Sequence, residues 1–227
     1  MIKANGKTFL LQGKNYSYAM HVLESGFLQH LYYGGKITET DLDYLIEIGD
    51  TNAPHIDMNM DMAFDRMLSE YGFYARGDYR EATAVFERKD GASMSRLRYQ
   101  SYRVEKGAPN VKGMPHVRQG DETLVITLKD DFSDISVDLY YTVCDNSDVL
   151  VRSSVIRNTG RESIMLKKAF SFRAQLPNGN YRMMRLAGTW GQERIPEIAP
   201  IAHGITRLQS IQGCTCLLYT SDAADEL

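Results

Sequence analysis

Apolar and polar residues alternate along most of this chain with a period of two, and turn residues interrupt the alternation at short, regular intervals. That period places successive side chains on opposite faces of an extended strand. The first three strands are expected at residues 8–12, 16–23 and 27–33, separated by Gly13-Lys14-Asn15 and Glu24-Ser25-Gly26. Their tyrosines alternate with smaller residues, as in an antiparallel meander with one wet and one dry face. The pattern resumes at 82–88, 96–104, 123–128, 135–143, 149–158 and 164–174. Asp90-Gly91, Lys129-Asp130-Asp131, Asp145-Asn146-Ser147 and Asn158-Thr159-Gly160 supply the turns. In 96–104 the side chains of Arg96, Arg98, Gln100, Tyr102 and Val104 share one face, and in 135–143 Ile135, Val137, Leu139, Tyr141 and Val143 point inward. Many short strands with this punctuation predict an all-β fold, a large antiparallel β-sandwich with few short helices.

One stretch departs from the pattern. Residues 41–48 predict a short helix capped by Thr40 or Asp41, and residues 49–74 show no clean period. Long irregular stretches inside compact domains are often functional. Asp57, Asp61 and Asp65 are spaced like one face of a helix, and Asp57-x-Asn59-x-Asp61 opens like a calcium loop. The match then fails. Met62 stands where a glycine must turn the chain, and Leu68 where the bidentate glutamate belongs, so a solvated acidic face is the better reading.

Composition narrows the picture without changing it. The 227 residues are 43% hydrophobic and 24% charged with a formal net charge of −3, which suits a folded globular chain and no nucleic-acid partner. No apolar run nears the ~20 residues that span a bilayer, so no membrane partner is expected. No secretory leader is evident, and Cys144, Cys214 and Cys216 suit a reducing compartment; the expected location is cytoplasmic.

Catalytic signatures are missing. No phosphate-binding glycine loop, Gly-x-Ser-x-Gly elbow or His-Glu-x-x-His pair is present. His21, His30, His55, His116 and His203 are scattered, and Cys144 reads as a buried, inert thiol. Trp190, the single tryptophan, sits between Gly188-Thr189 and Gly191-Gln192-Glu193-Arg194. It is either a core indole at a strand end or an aromatic platform beside a polar ligand such as a sugar.

Longer motifs carry a resemblance. Phe27-Leu28-Gln29-His30-Leu31-Tyr32-Tyr33-Gly34, then Glu70-Tyr71-Gly72 with Gly77-Asp78-Tyr79-Arg80, Leu97-Arg98-Tyr99-Gln100-Ser101-Tyr102-Arg103-Val104, and Gly188-Thr189-Trp190-Gly191-Gln192-Glu193-Arg194 are spread over most of the chain. Together they resemble the N-terminal β domain of the glycoside hydrolase family 36 α-galactosidases; Gln192 replaces the family's usual arginine. The resemblance implies a much longer parent enzyme, in which this domain precedes a (β/α)₈ barrel holding the catalytic aspartates. It implies retaining hydrolysis of terminal α-linked galactose from raffinose- or melibiose-type oligosaccharides, with no metal or organic cofactor, in a homotetramer. It also nominates two substrate-binding residues in this chain. Trp190 would stack on the sugar, and Asp50, in Gly49-Asp50-Thr51-Asn52-Ala53-Pro54, would bind sugar hydroxyls. Asp50 reads equally well as an Asx-turn residue before Pro54. Asp78 and Arg80 are expected to pair within the domain.

The C-terminal stretch from about Cys216 resembles a translated sequencing adapter. On that reading residues 1–213 are the β domain, 214–227 are a non-native tail, and the chain alone is catalytically inactive. The competing readings are a stand-alone carbohydrate-binding sandwich and a structural or oligomerisation domain.

Overall fold

The computed structural model describes residues 1–38, 42–46, 67–74, 78, 80–110, 117, 119–170, 172–176, 179–189 and 192–208. The strands in chain order are β1 (Ile2–Asn5), β2 (Thr8–Gln12), β3 (Tyr16–Val22), β4 (Leu28–Gly35), β5 (Ala84–Glu87), β6 (Leu97–Lys106), β7 (Glu122–Asp130), β8 (Ile135–Val143), β9 (Leu150–Asn158), β10 (Met165–Ala169), β11 (Arg182–Thr189) and β12 (Gln192–Pro200). The chain divides into two units, 1–176 and 177–227.

The first unit is the expected antiparallel sandwich. One sheet runs β1-β2-β3-β4 and the other β6-β7-β8-β9, each a meander, and β5 pairs with β10 separately. Period-two patterning decides which side chains meet between the sheets. Phe9, Leu11, Tyr18, Met20 and Val22 of the first sheet share a buried cluster with Leu124, Ile126, Leu128, Val137, Leu139 and Tyr141 of the second. Each such large apolar side chain contributes about 1.5–3 kcal/mol by leaving water. The opposite face of the first sheet is covered as well: Leu10 and Ala19 pack with Leu42, beside Leu45 of a 3₁₀ turn at Asp43–Leu45. Of the predicted 41–48 helix, residues 42–46 are described, and they hold this 3₁₀ turn rather than an α-helix; it ends because Ile46 is already extended.

Two departures have local causes. The alternation read through 96–104 does not persist on one face. Tyr99 pairs with Leu128 and Ser101 with Thr127, leaving Gln100 as an extra residue. The bulge switches parity, so Leu97 and Tyr99 pack against the core before it, while Tyr102 packs edge-on to Phe9 after it. The predicted strand 164–174 is shorter, ending at Ala169, and it too has an irregularity, between Leu166 and Lys168. Past it, Phe170 donates its backbone N–H to the Thr83 carbonyl, and the chain leaves the sheet.

The turns follow their sequence signals. Gly26 adopts φ +85° between β3 and β4, and its carbonyl accepts from Tyr99 N–H at 2.8 Å, tying the turn to the second sheet. Gly91 adopts φ +80° after Asp90, whose Oδ1 accepts from Ala92 N–H.

The second unit contains a ribbon that the alternation had not announced. β11 and β12 pair antiparallel from Arg182↔Pro200 to Thr189↔Gln192, with a register shift after Ala187 and Arg194 at φ 62°. Met184 faces Ile198 across the ribbon, and Leu186 faces Pro196. Arg185 forms an ion pair with Glu197 on the other face. Among the described residues no helix is long and apolar enough to cross a membrane.

Candidate functional site

Both residues nominated for sugar binding, Trp190 and Asp50, lie outside the described residues, as do Asp57, Asp61 and Asp65. What is described is the stem around Trp190: β11 ends at Thr189, which pairs with Gln192 at the start of β12.

Inside the first unit, the structure assembles a polar centre that the sequence reading did not nominate. It begins with residues 67–73, which leave the irregular stretch and run along the edge of β4. His30 N–H donates to the Leu68 carbonyl, and Glu70 N–H to the Leu28 carbonyl. The same segment then reaches β5, where Phe73 bridges Ala84. This double attachment sends the Glu70 side chain between the two sheets, where it is 1% exposed. A carboxylate there must be neutralised and saturated with hydrogen bonds.

Both sheets supply what it needs. From the first sheet, the Tyr18 hydroxyl donates to the carboxylate at 2.7 Å, and His30 Nδ1 lies 3.2 Å from Oε2. From the second, the Tyr141 hydroxyl donates at 2.9 Å and Arg152 Nη2 approaches Oε1 to 2.6 Å. Tyr141 and Arg152 are cross-strand partners on β8 and β9. Arg152 also donates to the Tyr18 hydroxyl at 3.1 Å and to the Arg173 carbonyl, and its guanidinium lies over the rings of Tyr141 and Phe172.

The electrostatics follow from this geometry. Burial alone would raise the Glu70 carboxyl; the charge of Arg152, then His30 and the Tyr18 hydroxyl, outweigh it and hold the group below its ordinary range. Burial and then the Glu70 charge push the Tyr18 and Tyr141 phenols well above theirs. For Arg152 burial works against the charge, but Glu70 and the two tyrosines prevail and raise it. With its acceptor positions filled by four side chains, Glu70 is a structural ion and leaves no place for a substrate. The signal available in sequence was Arg152 itself, which falls in phase with Leu150 and Ile156 on the inner face of β9.

The remaining nominated residues resolve simply. Asp78 and Arg80 do pair within the domain, through Nε at 2.8 Å and Nη2 at 3.2 Å, and Arg80 also donates to the Met67 carbonyl. Cys144 is a free, half-buried thiol rather than a buried one, donating to the Gln119 carbonyl at 3.3 Å. His21 shares a 2.7 Å hydrogen bond with Thr8, and His203 is exposed. Among the described residues no group of His, Cys, Asp and Glu side chains is placed to hold a metal ion.

Comparison with known proteins matches residues 26–218 to the glycosyl hydrolase family 36 N-terminal domain. The α-galactosidase AgaA of Geobacillus stearothermophilus is 30% identical over 215 residues, covering 92% of this chain and 30% of that protein. The crystal structure of the family 36 α-galactosidase AgaB from the same organism superposes with a TM-score of 0.84 at 28% identity, over 94% of this chain and 30% of that one. A variant of AgaA solved in complex with raffinose gives 0.82 at 30% identity, over 91% and 30% of the two chains. The chain thus spans about 30% of the length of the relatives it matches.

Proposed function

Since the chain belongs to the glycosyl hydrolase family 36 N-terminal domain family, we propose that it is the N-terminal part of an α-galactosidase. The observation that carries this reading is the family match over 26–218, joined to a fold correspondence that covers 94% of this chain and 30% of the relative. In the proposed parent, a barrel downstream holds two carboxylates. One attacks the anomeric carbon of a terminal α-linked galactose while the other protonates the departing oxygen; water then hydrolyses the galactosyl-enzyme with retention. The raffinose complex of a relative supports substrates of the raffinose and melibiose type. The parent is proposed to act as a homotetramer in the cytoplasm, a location that the free thiol of Cys144 suits.

On this reading the β domain contributes binding rather than chemistry. Trp190, between β11 and β12, offers an indole face to the apolar face of galactose, and Asp50 accepts hydrogen bonds from sugar hydroxyls. Residues 1–213 form the domain and the chain alone is inactive. The test is hydrolysis of an aryl α-galactoside by the purified chain. No turnover above the blank is expected, and measurable turnover would sink the assignment of the chemistry to a downstream barrel. A second reading, an oligomerisation domain, is favoured by one observation: Met184, Leu186 and Ile198, on one face of the β11–β12 ribbon, are 65%, 59% and 52% exposed.

A further inference from the structure

The second sheet has one long open edge. Among the edge strands of the two meanders, β1 has four residues, β4 carries residues 67–73 along its side, and β9 is half-buried over most of its length. β6 has ten residues and is exposed from Gln100 to Lys106. Backbone groups alternate in direction along a strand of an antiparallel pair. Gly107 N–H donates to the Asp121 carbonyl beside β7 at 3.0 Å, which sets the phase. Arg103 and Glu105 therefore address β7, while Tyr102, Val104 and Lys106 turn their N–H and C=O groups to the open side. None of these three has a backbone partner on that side among the described residues. Only the start of the edge is closed, where Tyr99 N–H donates to the Gly26 carbonyl ahead of the bulge at Gln100. An open strand of this length is a template for another strand.

The side chains identify the strand that fits. Tyr102 and Val104 lie opposite Ile126 and Leu124 of the core, yet they are 41% and 45% exposed. On the other face Arg103 pairs with Glu105 at 2.6 Å. Set antiparallel against a second copy with Val104 opposite its own counterpart, β6 places each Arg103 opposite the partner's Glu105. Each Lys106 then faces the partner's Tyr102. In this register the outward-facing residues meet one another and exchange N–H and C=O groups. Opposite charges alternate about the two-fold axis, and such cross-strand pairs are favourable. Sliding the copy by two residues sets Arg103 against its counterpart in one direction and Glu105 against its counterpart in the other, and like charges directly opposite are unfavourable. The strand is thus complementary to itself in one register, as an isologous contact requires.

We propose that the open edge of β6 joins two copies of this chain into a dimer with one continuous sheet, Val104 lying on the two-fold axis. The experiment is disulfide trapping in a chain carrying Cys144→Ser, Cys214→Ser and Cys216→Ser, with Tyr102→Cys, Arg103→Cys or Val104→Cys added one at a time. Residues in a hydrogen-bonded antiparallel pair have Cα atoms about 5.5 Å apart, within reach of a disulfide. Oxidised glutathione is expected to link Val104→Cys into a covalent dimer roughly tenfold faster than the other two, because only residue 104 faces its own counterpart. That comparison reports this edge alone, whatever the β11–β12 ribbon does. Equal rates at the three positions, or fastest linkage at Arg103→Cys, would overturn the proposal. Amide exchange of the native chain, followed residue by residue at low and high concentration, makes the test independent of the substitutions. Protection at Tyr102, Val104 and Lys106 is expected to rise with concentration, while that at Arg103 and Glu105, already bonded to β7, stays constant. Exchange at the first three that does not change with concentration overturns the dimer.

Discussion

Arg152 on β9 and Glu70, on the segment that leads from β4 to β5, meet at 2.6 Å in the middle of the sandwich. Each belongs to a different part of the first unit, so the pair joins the two sheets through a charge contact that neither sheet can satisfy alone. Such a pair is costly to break from one side, because the remaining ion is left buried and unmatched.

Glu70→Gln is therefore expected to destabilise the chain by about 3–5 kcal/mol. Arg152→Met should cost a similar amount. The double variant Glu70→Gln with Arg152→Met is expected to cost less than the sum of the singles, since no lone ion remains. Urea unfolding of the three variants measures the coupling, and strict additivity would show that the two residues do not act as a pair.

The same centre sets a pH dependence with a definite sign. The Glu70 carboxyl is lower in the folded chain than its ordinary 4.5. Its contribution is complete above that value and is lost as pH falls through the lowered folded value. Tyr18 and Tyr141 are raised above their ordinary 10.0, so their contribution is complete below that value and declines as pH rises past it. Unfolding midpoints across acid and alkaline series check both limbs, and Glu70→Gln should lose its part of the acid limb.

Gly13→Ala is expected to destabilise by about 1–3 kcal/mol, as overpacked sites do. A Cβ at that position would meet the Tyr16 ring at 2.1 Å and the Ser147 carbonyl at 2.8 Å. The Tyr16 ring has little freedom to move, being buried, with its hydroxyl donating to the Val149 carbonyl. Thermal unfolding measures the loss, and an unchanged Tm would contradict this packing.

Much of the sandwich was legible because turn residues separate its strands and several of them alternate apolar with polar residues. The inward run of Ile135, Val137, Leu139, Tyr141 and Val143 was visible as alternation and is the inner face of β8. The bulge at Gln100 was not visible, because nothing in Tyr99-Gln100-Ser101 breaks the local pattern; pairing with β7 creates it. The β11–β12 ribbon was missed for a related reason. β12 carries Pro196 and Pro200, Arg185 pairs with Glu197, and Met184, Leu186, Ile195 and Ile198 stay exposed, so the two-faced contrast that betrays a strand is weak. The Glu70 centre was hidden because its members lie far apart in sequence, on β3, β4, β8, β9 and an irregular segment. Glu70 stood in a recognised motif, but its partners were readable only once the sheets faced each other.

The ribbon offers a prediction of its own. Replacing Leu186 and Ile198 with lysine is expected to reduce self-association of the chain without moving the unfolding midpoint of the first unit. Sedimentation velocity over a concentration series makes the comparison. Identical distributions for the variant and the native chain would mean that this face takes no part in association.

Trp190 is the single tryptophan of these 227 residues. In the full-length parent, melibiose is expected to change tryptophan emission saturably, and Trp190→Ala to remove that change and to lower kcat/KM for an aryl α-galactoside by roughly tenfold or more, about 1.4 kcal/mol of lost binding to the transition state.

The central claim, that this chain is the front of an α-galactosidase, is tested most directly by reading the source gene onward from the Gly213 codon and assaying the extended product. The account predicts a frame that continues into a barrel with paired strand-end aspartates and a protein that releases galactose from raffinose. A natural stop codon directly after Leu227, with no barrel and no hydrolysis, would contradict it.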